Sequence, residues 1–167
     1  MNKQRGFSLI ELLIVVAIIL IIAAIAVPNL LRSKMAANEA SAVSGIRTIT
    51  TAETTYASTW GTGYAVDLAS LGGIVSPCVA TSTSACILDP ALSSGTKAGY
   101  TFAAAGNTLT GTTYNGFEVN ATPSSAGVTG VRAFCSDQTG VIRYNTTGAA
   151  IGTGAGSCAL AALLIGD

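Results

Sequence analysis

No histidine occurs among the 167 residues of this chain. The commonest general base and metal-ligating side chain is therefore absent, and a serine or thiol nucleophile has no candidate base beside it. Charge is scarce too. Only 10% of residues are Asp, Glu, Lys or Arg, and eight basic side chains balance eight acidic ones. Without a basic face, nothing is available to hold a nucleic-acid backbone, so no nucleic-acid contact is expected. Aromatic residues make up 6%, and Phe7, Tyr56 and Trp60 are too far apart for a stacked ladder. Glu53, Asp67 and Glu118 fall into no catalytic spacing. The expectation is a chain with no catalytic residues, no cofactor and no metal.

Cysteine is sparse but even in number: Cys78, Cys86, Cys135 and Cys158. Neither close pair has the two-to-four-residue spacing of a zinc knuckle, and no histidine completes one. An even count favours disulfides and an oxidising compartment. Four cysteines allow three pairings, among which sequence alone does not choose. The spacing favours Cys78–Cys86 and Cys135–Cys158, and the latter would pin the Gly-rich end of the chain to the rest. Asp137, close to Cys135, reads as a turn aspartate capping its own backbone rather than as a calcium ligand.

What the chain has in abundance is apolar length. Mean hydropathy is +0.57, much of it owed to "GFSLIELLIVVAIILIIAAIAVPNLL", Gly6 to Leu31. Phe7 to Val27 as a helix measures about 31 Å, a bilayer core. A plain membrane anchor accounts for the length. A secretory signal, with Ala24-Ile25-Ala26 as its cleavage pattern, accounts for length and flanks. Neither accounts for Glu11, since insertion scales charge an acid about 2.5–3.5 kcal/mol at a helix centre. Lys3 and Arg5 before the run are nearly balanced by Arg32, Lys34 and Arg47 after it. The cysteines break that tie and place the long C-terminal part outside the cytoplasm.

The hexapeptide Gly6-Phe7-Ser8-Leu9-Ile10-Glu11, followed by an unbroken apolar run with Pro28 in place, resembles the processing site of type IV prepilins. The resemblance implies a leader removed between Gly6 and Phe7 by a membrane aspartyl peptidase, and N-methylation of Phe7. It implies that Phe7 and Glu11 set assembly and register, the glutamate meeting the N-terminal amine of a neighbouring subunit inside a filament. The implied partners are identical subunits, the prepilin peptidase and methylase, an inner-membrane platform protein, an assembly ATPase, and a secretin where an outer membrane exists. The precursor would wait in the inner membrane and the product would be a surface filament serving adhesion, twitching, DNA uptake or secretion. A type II secretion pseudopilin, confined to the periplasm, is the alternative. The Asp-Pro-Trp-Gly segment associated with calcium-binding major pseudopilins is absent, Asp89-Pro90-Ala91-Leu92 being nearest. A membrane-anchored binding module that does not polymerise is a third reading.

Beyond Pro28 helical periodicity resumes through Leu31, Met35, Ala42, Val43, Ile46, Ile49, Tyr56 and Trp60. Arg32, Lys34, Glu39, Arg47 and Glu53 form the expected polar face. One helix is predicted from about Phe7 to about Tyr56, kinked or loosened where Pro28 leaves the Ala24 carbonyl without its donor. Tyr64 to Thr96 shows turn residues and no sustained period. Strands are predicted at Gly99–Ala104, Tyr114–Asn120, Val131–Ser136 and Val141–Asn145, with a hairpin turn in Ser136–Val141. The expected organisation is a leader (1–6), an apolar membrane and polymerisation helix (7–28), its amphipathic half (29–60), an αβ-loop (61–96) and an antiparallel sheet with a disulfide-bounded loop (97–167). The fold class is α+β, a long helix packed against an antiparallel sheet, as the resemblance also implies.

Overall fold

A computed structural model describes residues 7–73, 77–161 and 163–164. The chain divides into two compact units, Met1–Lys34 and Met35–Asp167. One helix, α1 (Leu9–Trp60), contributes to both.

In the first unit α1 starts with the Leu12 N–H donating to the Ser8 carbonyl at 3.2 Å. The helix continues without interruption through Pro28. Proline has no N–H to give the carbonyl four residues back. Beside that position, the Asn29 side-chain amide donates to the Ile25 carbonyl at 3.1 Å.

In the second unit Ala42, Ile46, Ile49, Ala52 and Tyr56 of α1 recur at three- and four-residue steps and are all buried. They share one core with Tyr100, Phe102, Ala104, Phe117, Val119, Ala121 and Phe134, residues supplied by a six-stranded sheet. Its strands are β1 (Thr96–Lys97), β2 (Tyr100–Thr110), β3 (Thr113–Pro123), β4 (Ala133–Asp137), β5 (Arg143–Asn145) and β6 (Leu163–Leu164). They lie in chain order, each antiparallel to the next. Alternate residues of β2 (Tyr100, Phe102, Ala104) and of β3 (Phe117, Val119, Ala121) join the core shared with α1. The α+β class expected from the sequence is the class observed.

The strands differ from expectation at their ends: β3 runs Thr113–Pro123 instead of Tyr114–Asn120, paired with β2 along that length, and the other differences have local causes. β2 runs six residues past Ala104, through Gly106 and Asn107, a pair that reads as a break. A Cβ at Gly106 would stand 2.6 Å from the Ala65 carbonyl oxygen and 2.7 Å from the Tyr114 ring, so glycine there serves a close approach and not a turn. β4 starts at Ala133 instead of Val131 because the Val131 and Arg132 N–H groups donate to Glu39. β5 starts at Arg143, the Val141 carbonyl being occupied by the Ser136 hydroxyl at 3.1 Å. The predicted turn closes through the Gly140 N–H on the Asp137 carbonyl.

Two short helices, α2 (Leu68–Leu71) and α3 (Pro90–Ser93), occupy the region read as irregular loop. Each is capped by an aspartate: Asp67 accepts from Ser70 N, and Asp89 from Ala91 N and Leu92 N. Four residues are too few to show a period. Cys78 is joined to Cys86 and Cys135 to Cys158. Cys158 lies on α4 (Ser157–Ala161), and the bridge forms a small second core with Ala133 and Ile151.

The polar face assigned to α1 needs correction. Arg32, Lys34 and Arg47 are exposed, but Glu39 is buried and Glu53 is buried completely. Both face inward because backbone N–H groups await them there: Val131 and Arg132 for Glu39, Ala65 for Glu53. Leu31, read as part of the apolar stripe, is exposed and belongs to the first unit.

Candidate assembly site: the N-terminal apolar segment

Phe7 is 80% exposed. The large apolar side chains that follow, from Leu9 to Leu31, are exposed as well. The helix is long and apolar enough to cross a membrane, and none of its most apolar window is buried. Such a surface is stable only in lipid or against other apolar surface.

Ser8, Leu9, Ile10 and Glu11 form the entry to this helix. Glu11 Oε2 accepts the Ser8 N–H at 2.9 Å. That is one half of a capping box, in which a glutamate three residues into the helix satisfies the amide of the capping residue. The Ser-x-x-Glu spacing before an apolar run is the sequence signal for this contact, and it is independent of the charge of Glu11. Glu11 therefore has one local partner and no cation among the described residues. Gly6, the expected cleavage residue, lies outside the described residues. Pro28 lies within α1.

The second unit uses its carboxylates internally. Glu39 Oε1 accepts from the Val131 and Arg132 N–H groups at 2.8 and 3.1 Å. Its Oε2 accepts Arg132 Nε and an Arg132 terminal nitrogen at 2.9 and 2.7 Å. Burial favours the neutral acid, but the hydrogen bonds from Val131 and Arg132 outweigh it and hold the carboxyl below its usual range. The Arg132 guanidinium also sits 5.5 and 5.4 Å from the Phe134 and Tyr144 ring centres. No sequence signal joins residues 39 and 132, which meet only through the fold.

Glu118 is buried, and its Oε2 accepts the Cys158 N–H at 2.9 Å. Burial raises its pKa, with Asp137 adding to the rise and backbone N–H groups at the start of α4 opposing it. Asp137 accepts from the Thr139 N–H and pairs with Arg143 at 3.4 Å. It is a turn and ion-pair residue. Asn120 donates to the Ile151 carbonyl, tying the C-terminal stretch to β3 a second time.

With this geometry in view, the chain carries a prokaryotic N-terminal methylation motif: residues 1–27 match the family of that description. Three curated relatives match part of the chain. The type IV wide pilus major component PilA4 of Thermus thermophilus is 56% identical over 39 residues, 23% of this chain and 30% of that one. The type IV major pilin protein PilA of Myxococcus xanthus is 43% identical over 54 residues, 32% of this chain and 24% of the relative. The type II secretion system core protein G of Escherichia coli is 47% identical over 45 residues, 27% of this chain and 31% of the relative. The chain thus spans between about a quarter and a third of the length of each. No solved structure matches.

Proposed function

We propose that this chain is a pilin-type structural subunit, without catalytic activity, that polymerises through its N-terminal apolar helix into a type IV pilus-like filament. The observation that carries this is the contrast between an exposed apolar helix headed by a methylation motif and an α+β unit that has filled its own core. Two relatives named as major pilus subunits support the reading.

In this reading a peptidase cuts between Gly6 and Phe7 and the new Phe7 amine is methylated. That amine is the cation Glu11 lacks among the described residues. An acid in an apolar interior is tolerated when it is paired, so Glu11 fixes the register of the neighbour whose amine it meets. The subunit waits in the inner membrane, and a platform protein with an assembly ATPase adds it to the growing polymer. A secretin passes the filament where an outer membrane exists. Similarity to a type II secretion core protein supports a second reading, a periplasmic pseudopilus.

Mass spectrometry of the mature N-terminus, with electron microscopy of the producing cells, tests the proposal. The expected species begins at a methylated Phe7 and forms long surface filaments. Gly6→Val should leave full-length chain in the membrane and no filaments. A mature chain beginning at Val27 would overturn the processing site. Filaments confined to the periplasm would select the pseudopilin reading.

A further inference from the structure

Glu53 is fully buried on the core face of α1, between Ile49, Ala52 and Tyr56. Its Oε2 accepts the Ala65 N–H at 2.9 Å. No protein donor among the described residues reaches Oε1. The Thr50 hydroxyl, three residues earlier, is likewise buried without a protein partner. The cations of this unit are elsewhere: Lys97 pairs with Asp89, Arg132 with Glu39 and Arg143 with Asp137, and Arg47 is exposed. The charged group that bears on Glu53 is Asp67, of the same sign.

An ionised carboxylate in this place would have one oxygen solvated by a single amide and the other by nothing. A neutral acid has no charge to desolvate and needs only one site for its proton. We infer that Glu53 is a proton-binding site, neutral in the folded subunit with the proton on Oε1, and that loss of this proton to solvent releases the segment Gly63–Asp67 from α1.

Besides the Ala65 contact, Tyr64 N donates to the Tyr114 carbonyl at 2.9 Å and Gly106 N to the Val66 carbonyl at 3.3 Å. Ala65 is fully buried and the Tyr64 ring lies 4.8 Å from that of Phe117, so water reaches Oε1 only when this segment loosens. Asp67, at its end, caps α2, so movement of the segment carries the start of α2 with it. Burial, as the main cause, pushes the Glu53 carboxyl up to about 7 from the usual 4.5; the Ala65 N–H opposes the rise and Asp67 adds to it. The folded value lies above the unfolded one. The stabilisation from this group is therefore complete below pH 4.5 or so and is lost as pH rises through about 7. The inference stands independently of polymerisation, because every group it uses belongs to the second unit.

The test is a titration of the full chain in detergent micelles, with glutamate labelled at the carboxyl carbon, from about pH 5 to about pH 8. Hydrogen exchange at the Ala65 amide is followed over the same range. One glutamate resonance should titrate near neutrality and be missing in Glu53→Gln. Ala65 protection should fall by at least about tenfold across the range in the native chain and stay level in Glu53→Gln. Asp67→Asn should lower the midpoint. A Glu53 carboxyl titrating in the ordinary acid range would overturn the proton site. Ala65 protection that ignores the titration would overturn the release. Should Glu53→Gln fail to fold, the native chain and Asp67→Asn still decide both points.

Discussion

Glu11, Glu39 and Glu53 stand on one helix, and their surroundings differ by unit. In the second unit Glu39 has four hydrogen bonds, two of them from an arginine, and Glu53 has a buried amide. In the first, Glu11 has the amide of Ser8 and no further partner among the described residues. The apolar side chains divide in the same way: Ile46 and Ile49 are wholly buried, while Ile10 and Leu20 remain more than 60% exposed. The second unit completes its own interactions. Among the described residues the first leaves an apolar surface uncovered and an acid without a cation. A helix of uniform secondary structure is thus two different materials, one closed within a core and one apolar and exposed.

The sharpest way to break that comparison is at Glu11. Losing one member of a buried ion pair costs roughly 3–5 kcal/mol, enough to oppose each addition to a filament. Glu11→Ala also removes the helix cap, at about 1 kcal/mol. Glu11→Gln separates the two, since its amide oxygen still accepts from Ser8 N but carries no charge. Both variants are expected to yield processed, membrane-embedded monomer and few or no filaments by electron microscopy. Normal filaments from Glu11→Gln would reduce Glu11 to a cap and remove the register argument.

Within the second unit the largest effect should come from its cross-links. Constraint of the unfolded chain gives about 3.4 kcal/mol for a loop of the Cys135–Cys158 size and about 2.5 kcal/mol for the Cys78–Cys86 one. Replacing Cys135 and Cys158 together by serine should lower the calorimetric midpoint more than replacing Cys78 and Cys86. The order should be reinforced by Glu118 and Asn120, which lose an ordered C-terminal partner in the first case only. The reverse order would show that those contacts hold the C-terminal stretch without the bridge.

Arg132→Met tests the latch between α1 and the start of β4. It removes two charge-assisted bonds to Glu39 and the stacking on Phe134 and Tyr144. With the arginine side chain 46% exposed, solvent screens the pair, and about 1–2 kcal/mol is expected. The pH dependence gives a second readout. Because the folded Glu39 carboxyl lies below its unfolded value, its stabilisation is present above about pH 4.5 and is lost as pH falls through the folded value. Denaturant midpoints of Arg132→Met should therefore fall less steeply on acidification than those of the native chain. Parallel acid limbs would show that the backbone amides of Val131 and Arg132 alone hold the carboxylate.

These residues mark what was legible in the sequence. The apolar run, the methylation motif, the amphipathic continuation of α1 and the central strands are local patterns, and local patterns appear in a linear text. Glu39 and Glu53 did not. Each was placed on a polar face by residue type, yet each is held by an amide that folding brings from elsewhere, 92 residues away for Val131 and 12 for Ala65. Gly106 misled for a related reason, since its glycine answers to Ala65 and Tyr114. The Ser8–Glu11 cap is legible as a Ser-x-x-Glu spacing, a signal separate from the charge of Glu11. In the second unit the sequence yields the elements and the two disulfide pairings, but not the hydrogen bonds that join α1 to the segments packed on it.

The smallest effect expected is at Gly45, and it probes how tightly the second unit is closed. In the middle of a helix alanine is preferred to glycine by about 1 kcal/mol, so Gly45→Ala would stabilise an open surface. Here the residue is buried. A Cβ would stand 2.7 and 2.8 Å from two atoms of the Phe102 ring and 3.2 Å from a Leu92 methyl. Phe102 and Leu92 are themselves buried, so the ring has little room to yield, and overpacking of this kind costs about 1–3 kcal/mol. The two contributions oppose one another, leaving a net loss of about 1 kcal/mol in chemical denaturation. Phe102→Leu removes the ring and costs stability alone, but combined with Gly45→Ala it should recover part of the loss. A favourable coupling between the two sites, measured by a double-mutant cycle, would assign the glycine to the close approach of α1 and β2. Stabilisation by Gly45→Ala in the native background would mean that Phe102 rearranges freely, and that the second unit is less completely packed than its buried aromatics imply.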